Sequence, residues 1–95
     1  MVSFIVRLKF APEDRADVAE TLLALAAASR QEPGCISYLP HHLAEDPDTV
    51  IIYEKYRDEN ARAAHRASEH FKQYAVGGLY QLMRERSVED LIALD

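Results

Sequence analysis

Several residue types are scarce in this 95-residue chain, and each scarcity excludes a class of protein. Cys35 is the sole cysteine, which excludes an internal disulfide and a thiolate metal cluster. Three glycines and four prolines are too few for a disordered or collagen-like chain. We therefore expect an ordinary globular fold, with a single domain spanning residues 1–95.

Basic residues are also few. Eleven lysines and arginines stand against sixteen acidic residues, a net charge of −5, so the basic surface that nucleic-acid binding needs is missing. The sequence contains no apolar run near the roughly 20 residues of a membrane span. Its first residues lack the zones of a signal peptide. We expect a cytoplasmic enzyme or binding protein that contacts neither nucleic acid nor membrane.

The first half of the chain has clear periodicity. Apolar residues alternate with other residues over positions 2–10, which predicts a strand with one buried face. Pro12 suits the first position of a helix, and the Ala- and Leu-rich segment from there to Gln31 predicts that helix. Its apolar stripe comprises Val18, Ala19, Leu22, Leu23, Leu25, Ala26 and Ser29. The helix is expected to end at Glu32-Pro33-Gly34.

Two more strands are predicted over 35–43 and 49–56, and Pro40 indicates that the first of them lies at a sheet edge. Asp58 is expected to cap a second helix, and Ser68 to restart it along an offset axis. Arg84-Glu85-Arg86 is expected to be a solvated connection to a last strand over 87–94. The order β-α-β-β-α-β predicts an α+β, ferredoxin-like fold with a four-stranded antiparallel sheet.

Neither side of the third predicted strand is cleanly polar. Over residues 49–56, the even-numbered positions are Val, Ile, Glu and Tyr, and the odd-numbered positions are Thr, Ile, Tyr and Lys. In this fold the helices cover one face of the sheet. We therefore expect the second face to meet another subunit.

Titratable residues concentrate between Tyr53 and Tyr74. Histidine is well suited to proton transfer near neutrality, and both His65 and His70 lie in this segment. On an unbroken helix they would lie about 140° apart, so they converge only if the helix breaks at Ser68. The alternative is that one histidine packs in the core and the other is exposed.

Glu54 and Tyr56 are the other candidate catalytic residues. Glu54 lies in an otherwise apolar strand, where it either points into a pocket or pairs with a basic residue at a subunit contact. Tyr38, Tyr53 and Tyr56 either line a pocket for an aromatic ligand or pack in the core. His41 and His42 alternate across their strand and cannot bind one metal together, and Cys35 fits a small buried side chain. No phosphate loop, GxSxG or HExxH motif is present, so we expect neither a metal nor a cofactor.

Three strings together resemble the antibiotic biosynthesis monooxygenase family. They are EPGCISY at 32–38, YEKYRD at 53–58 and AHRASEHFK at 64–72. The resemblance implies a dimeric α/β barrel, a homodimer in which two ferredoxin-like subunits pack sheet against sheet. It also implies a small pocket between the sheet and the helices of each subunit. The implied activity is oxidation of a quinol-like or polycyclic aromatic substrate by O2 without flavin or metal. For this activity we expect His65 to abstract the proton or anchor the substrate, and His70, Tyr56 and Glu54 to position it or line the pocket.

Two other functions remain open. The YEKYRDENA segment is similar to a branch that isomerises a small phosphorylated metabolite, for which Arg7, Lys9, Lys55 or Lys72 would anchor the phosphate. A barrel that binds a small aromatic molecule without turnover is the second alternative. Haem degradation does not fit, because Ala75 stands where that branch has its histidine ligand to iron.

Overall fold

A computed structural model describes residues 1–94 of the chain. The strands are β1 (Val2–Lys9), β2 (Cys35–His42), β3 (Thr49–Tyr56) and β4 (Glu85–Leu91). The helices are α1 (Arg15–Arg30), which follows a 3-10 turn at Pro12–Asp14, and α2 (Glu59–Ala67). A π-helix (Phe71–Leu79) then leads directly into a short α3 (Tyr80–Leu82). No helix within residues 1–94 combines the length and apolar character needed to cross a membrane.

The sheet has the strand order β2-β3-β1-β4, and every neighbouring pair is antiparallel. This arrangement confirms the predicted α+β, ferredoxin-like fold. β2 lies at an edge, where Pro40 disrupts no second ladder of hydrogen bonds. The register places Phe4 opposite Glu54 on one side and Tyr38 opposite Glu54 on the other. Glu54 therefore occupies the middle of the sheet.

The core lies between the sheet and the helices. On β1 the even-numbered residues from Phe4 to Leu8 are buried, and on β3 the same holds from Val50 to Tyr56. From α1 the core receives Val18, Leu22, Leu25, Ala26 and Ser29. Two residues of the expected apolar stripe, Ala19 and Leu23, are exposed instead, since the helix turns about 100° per residue and carries them off the packed face.

The caps of the second helical region follow the sequence signals. The Asp58 side chain accepts a hydrogen bond from the Ala61 N–H at 2.8 Å, which begins α2. At Ser68 the backbone becomes extended (φ −70°, ψ 155°), and its hydroxyl accepts from the Phe71 N–H. The helix therefore breaks where the sequence predicts a restart. The restart takes the form of a π-helix, which we did not expect.

The last strand differs from the prediction. It begins at Glu85 and ends at Leu91, whereas the apolar pattern predicts residues 87–94, and Arg84-Glu85-Arg86 is not simply a solvated connection. Glu85 pairs with Lys9, and Arg86 pairs with Leu8. Backbone ladders form independently of side-chain polarity, so charged residues at the start of an edge strand remain in register.

Gly34 allows the turn before β2 to approach α2. A Cβ atom built on Gly34 would collide with the Cβ atom of Ala61. The Gly34 carbonyl also accepts a hydrogen bond from the Arg57 N–H at 2.9 Å. The glycine thus holds the segment around Glu32 against the start of α2.

The Gly34–Ala61 contact predicts a specific mutational coupling. Gly34→Ala should destabilise the fold by about 1–3 kcal/mol through overpacking. Ala61→Gly should cost about 1 kcal/mol of helix propensity on its own. In the double variant the two methyl groups no longer compete for the same space. Denaturant unfolding of all four proteins should give a double-variant loss smaller than the sum of the single losses, whereas additive losses would contradict the contact.

Candidate active site

Glu54 is a carboxylic acid buried in the middle of the sheet. It is 5% exposed, and it lies between the buried rings of Phe4 and Tyr38 on the neighbouring strands. The Tyr56 hydroxyl, two residues along β3 on the same face, donates to Glu54 Oε1 at 2.7 Å. Because residues i and i+2 of a strand share a face, this pair follows directly from the sequence.

His65 and His70 converge beside Glu54. His65 is 3% exposed at the C-terminal end of α2, and its Nε2 lies 3.7 Å from Glu54 Oε1. The break at Ser68 turns the chain so that the ring centres of His65 and His70 are 6.1 Å apart. The convergence that we made conditional on that break therefore occurs. His70 is the more exposed of the two, with 22% of its side chain accessible.

Glu32 joins the two histidines. Its Oε2 atom accepts a hydrogen bond from His65 Nδ1–H at 2.8 Å and a second one from His70 Nε2–H. The Glu32 side chain is 13% exposed. We call Glu32, His65 and His70 the triad. Sequence reasoning treated Glu32 only as part of the helix stop; its presence in the EPG string was the one signal that could have identified it.

Aromatic rings enclose the inner member of the triad. The His65 ring centre lies 5.8 Å from that of Tyr38 and 5.2 Å from those of Tyr56 and Phe71. Tyr53 is the third tyrosine proposed for a pocket. It is an odd-numbered residue of β3, so its side chain lies on the face of the sheet opposite to Glu54 and Tyr56. The rings exclude water from His65 and therefore shape its acid–base behaviour.

Burial changes the pKa values of the site. It raises the pKa of Glu54 to about 7, although the Tyr56 hydrogen bond and the nearby Arg66 charge act in the opposite direction. It also lowers the pKa of His65, an effect that the contact with Glu32 opposes. The pKa of Tyr56 is raised by burial and by Glu54, so its hydroxyl remains a donor. Burial thus favours the neutral forms of both Glu54 and His65.

A small cavity of about 40 Å³ lies between the sheet and the helices. Glu54, His65, Tyr38 and Arg66 line it, and the π-helix contributes further walls. π-Helical turns recur at functional sites, where they change which side chains face inward. The other residues that line the cavity are Phe4, Val6, Leu8, Leu25, Ile52, Phe71, Ala75, Leu79, Tyr80 and Arg86.

A larger groove of about 260 Å³ lies between α1 and the ends of β2 and β3. It is mostly apolar, and its charged residues Arg15 and Asp48 pair with each other at 2.9 Å. His41 and His42 lie at its rim, and both are exposed. We place the site at the small cavity instead, because the titratable groups with perturbed pKa values converge there.

The four residues considered as phosphate anchors lie away from this cavity. Arg7, Lys9 and Lys55 have the odd parity that faces away from the helices, and Lys72 is exposed beside Glu69. Cys35 is half-buried, and burial raises the pKa of its thiol to about 11, which does not suit a nucleophile. The basic side chains at the cavity are Arg66, which was not predicted, and Arg86, which was expected only as part of a solvated connection.

The triad also has the composition that a divalent metal ion requires. Each member offers one ligand atom, and these atoms lie within 4.8 Å of one another. In this structure His65 Nδ1 and His70 Nε2 both contact Glu32 Oε2, so the triad is a hydrogen-bonded unit.

The fold and the site together define a class: a ferredoxin-like α+β protein with an enclosed carboxylate–histidine site under its helices. The sequence profile of the antibiotic biosynthesis monooxygenase family matches residues 1–76. The chain belongs to this family.

Relatives match over nearly the whole chain. Rv0793 from Mycobacterium tuberculosis is 32% identical over 94 residues, which is 99% of this chain and 92% of that protein. A crystal structure of an antibiotic biosynthesis monooxygenase superposes with a TM-score of 0.93 at 26% identity, with both chains fully covered. PA3566 from Pseudomonas aeruginosa gives 0.90 at 29% identity, covering 99% of this chain and 94% of the other. These similarities support a monooxygenase-like role in general.

The raised pKa of Glu54 predicts a pH-dependent stability. A carboxyl group whose pKa rises from 4.5 to about 7 on folding stabilises the fold fully below pH 4.5 and loses that contribution as the pH rises through 7. The free energy of unfolding of the wild type relative to Glu54→Gln should therefore fall by up to about 3 kcal/mol between pH 4.5 and 8. Paired denaturant titrations measure this difference, and a pH-independent difference would show that Glu54 titrates normally.

Proposed function

We propose that this protein is a cofactor-independent monooxygenase that oxidises a quinol-like or polycyclic aromatic small molecule with O2. The observation that carries the proposal is the contact between Glu54 and His65 beside a small cavity, in a chain of the antibiotic biosynthesis monooxygenase family. A free thiol at Cys35 is in keeping with action in the cytoplasm.

The chemistry needs a base, a dry site and O2. For an anthrone-type substrate, the base removes a proton from the activated CH2 carbon, and the resulting carbanion attacks O2 to give a peroxide anion. The protonated base then returns its proton to this anion, which gives a hydroperoxide. Loss of water then leaves a carbonyl group, so one oxygen atom enters the product and the other leaves as water. The protein supplies proton transfer, orientation and exclusion of bulk water.

The residues divide these tasks. His65 takes the proton, because its imidazole lies buried at the cavity. Its lowered pKa favours the neutral form, which is the form that accepts a proton. Glu54 and Tyr56 form the polar wall beside it. His70 supports the triad from its solvent side. Arg66 places a positive charge near the anion that deprotonation creates.

The size of the cavity limits how the substrate binds. A volume of about 40 Å³ holds a molecule of the size of water or O2, whereas a ringed substrate needs several hundred Å³. Phe71 and Tyr80 pack edge to face, with ring centres 6.0 Å apart, and both line the cavity. We propose that these rings move aside when substrate binds, while O2 occupies the inner space.

The open face of the sheet supports a homodimer. No helix within residues 1–94 covers this face, which carries Ile5, Ile51 and Tyr53 at its centre and the exposed Leu39 at its edge. An apolar patch of this kind on a small chain is typical of a subunit interface. Two such faces packed together would form the dimeric α/β barrel.

Oxygen uptake tests the proposed activity. With no added cofactor, the wild type should consume O2 with some members of a panel of monocyclic quinols, naphthoquinols and anthrones. His65→Gln should lower the rate by about 10²- to 10⁴-fold, as loss of a general base does, while His42→Gln at the exposed rim should not. Product formation without O2 uptake would favour the isomerase, and ligand binding without turnover would favour the binding barrel.

The open face predicts the effect of a single charge on assembly. Light scattering should give twice the 10.8 kDa chain mass for the wild type. Ile5→Asp should give a monomer, because two carboxylates would be buried without partners, and Ala64→Asp on the exposed side of α2 should remain a dimer. A monomeric wild type would contradict the barrel, and a dimeric Ile5→Asp would place the interface elsewhere.

A further inference from the structure

The hydrogen bonds of the triad determine where the protons of His65 lie. An ionised carboxylate oxygen only accepts, so the His65 Nδ1 atom that contacts Glu32 Oε2 at 2.8 Å carries hydrogen. A neutral imidazole carries one N–H. Burial favours the neutral form of His65 by lowering its pKa. The Nε2 atom of His65 therefore carries no hydrogen and has a free lone pair.

That lone pair lies on the catalytic side of the ring. Nε2 is 3.7 Å from Glu54 Oε1, beyond hydrogen-bond length, and both residues line the cavity. The corresponding atom of His70 is not available, because His70 Nε2–H donates to Glu32. Of the two histidines, His65 is the one with a free nitrogen on the Glu54 side.

We propose that Glu32 is the positioning residue of this site: it holds His65 as the Nδ1–H tautomer, so that Nε2 is the atom that accepts the proton of the substrate. This inference rests on the proposed function, and it identifies the histidine and the nitrogen that act. Glu32 stays outside the cavity and acts only through His65.

The surroundings of Glu32 suit this role. Its second oxygen, Oε1, is buried and has no hydrogen-bond partner among residues 1–94, so the two histidine contacts hold the carboxylate in place. The Gly34–Ala61 contact fixes the backbone two residues away. A negative charge next to Nδ1 also stabilises the imidazolium that forms when Nε2 takes a proton.

The proton balance closes without transfer to Glu32. The C–H or O–H bond of the substrate breaks, its electron pair stays on the substrate, and the proton binds His65 Nε2. The imidazolium keeps Nδ1–H on the Glu32 oxygen throughout. After the substrate anion has attacked O2, Nε2 returns the proton to the peroxide anion, which becomes the hydroperoxide. The hydroperoxide then loses water, and the second hydrogen of that water comes from the carbon that was attacked.

Nitrogen-15 NMR of the histidine rings tests the tautomer directly. The chain has four histidines, so their resonances can be assigned with single His→Gln variants. In metal-free wild type with EDTA at pH 7.5, His65 should show a protonated Nδ1 and an unprotonated Nε2. A protonated Nε2 on neutral His65 would overturn the proposal.

Variants of Glu32 test the positioning role. In Glu32→Ala, Nδ1 loses its acceptor, and the tautomer of His65 should change to Nε2–H, which donates to Glu54. Glu32→Gln should keep much of the Nδ1–H form, because its amide oxygen still accepts. Glu59→Ala, which removes an exposed carboxylate on α2, should leave the spectrum unchanged. A retained Nδ1–H tautomer in a folded Glu32→Ala protein would overturn the role of Glu32.

The same variants separate this inference from the proposed function. With a substrate that the wild type oxidises, Glu32→Ala should lower kcat by about 10²-fold or more with KM within about twofold, and Glu32→Gln should recover part of the loss. Unchanged kcat would overturn the positioning role. If no substrate in the panel is oxidised, the proposed function fails, while the NMR tautomers still decide the assignment of Nε2.

Discussion

One oxygen atom of Glu32, which accepts hydrogen bonds from two histidines, is the contact on which the site depends. Glu32 follows the C-terminal end of α1, His65 lies in the last turn of α2 and His70 precedes the π-helix, so this atom connects three elements of the fold. The connection requires Gly34 at the turn and a helix break at Ser68. Each requirement is local and steric, and the result is a cluster of titratable groups beneath the sheet.

The buried carboxyl of Glu54 is the costly part of this arrangement. Burying a charge between two rings in the middle of a sheet is unfavourable, and the fold offsets it only in part through Tyr56 and Arg66. The part of the desolvation free energy that is not offset raises the pKa of Glu54 to about 7. At this pKa, Glu54 can gain or lose a proton at neutral pH. A site that combines a neutralisable acid with an unprotonated imidazole suits deprotonation of a weakly acidic carbon or phenol.

Much of this structure follows from short-range patterns. The alternation in β1, the cap at Asp58 and the edge position of Pro40 depend on neighbours in sequence, and all were predicted correctly. The π-helix was not predicted, because its hydrogen-bond register leaves no periodic signature in nine residues. Glu32 was missed for a different reason: its partners are 33 and 38 residues away, and only tertiary packing brings them together. The boundaries of β4 depend likewise on pairing with β1 rather than on its own composition.

In the proposed reaction, the protein ionises its substrate before O2 reacts. The most direct measurement is rapid anaerobic mixing of wild-type protein with anthrone, followed by absorbance of the anthrone anion and then by admission of O2. Ionisation before the reaction with O2 predicts that the anion forms without O2 in the wild type, fails to form with His65→Gln, and decays when O2 enters. Oxidation by the wild type with no anion formed beforehand, or equal ionisation by His65→Gln, would contradict it.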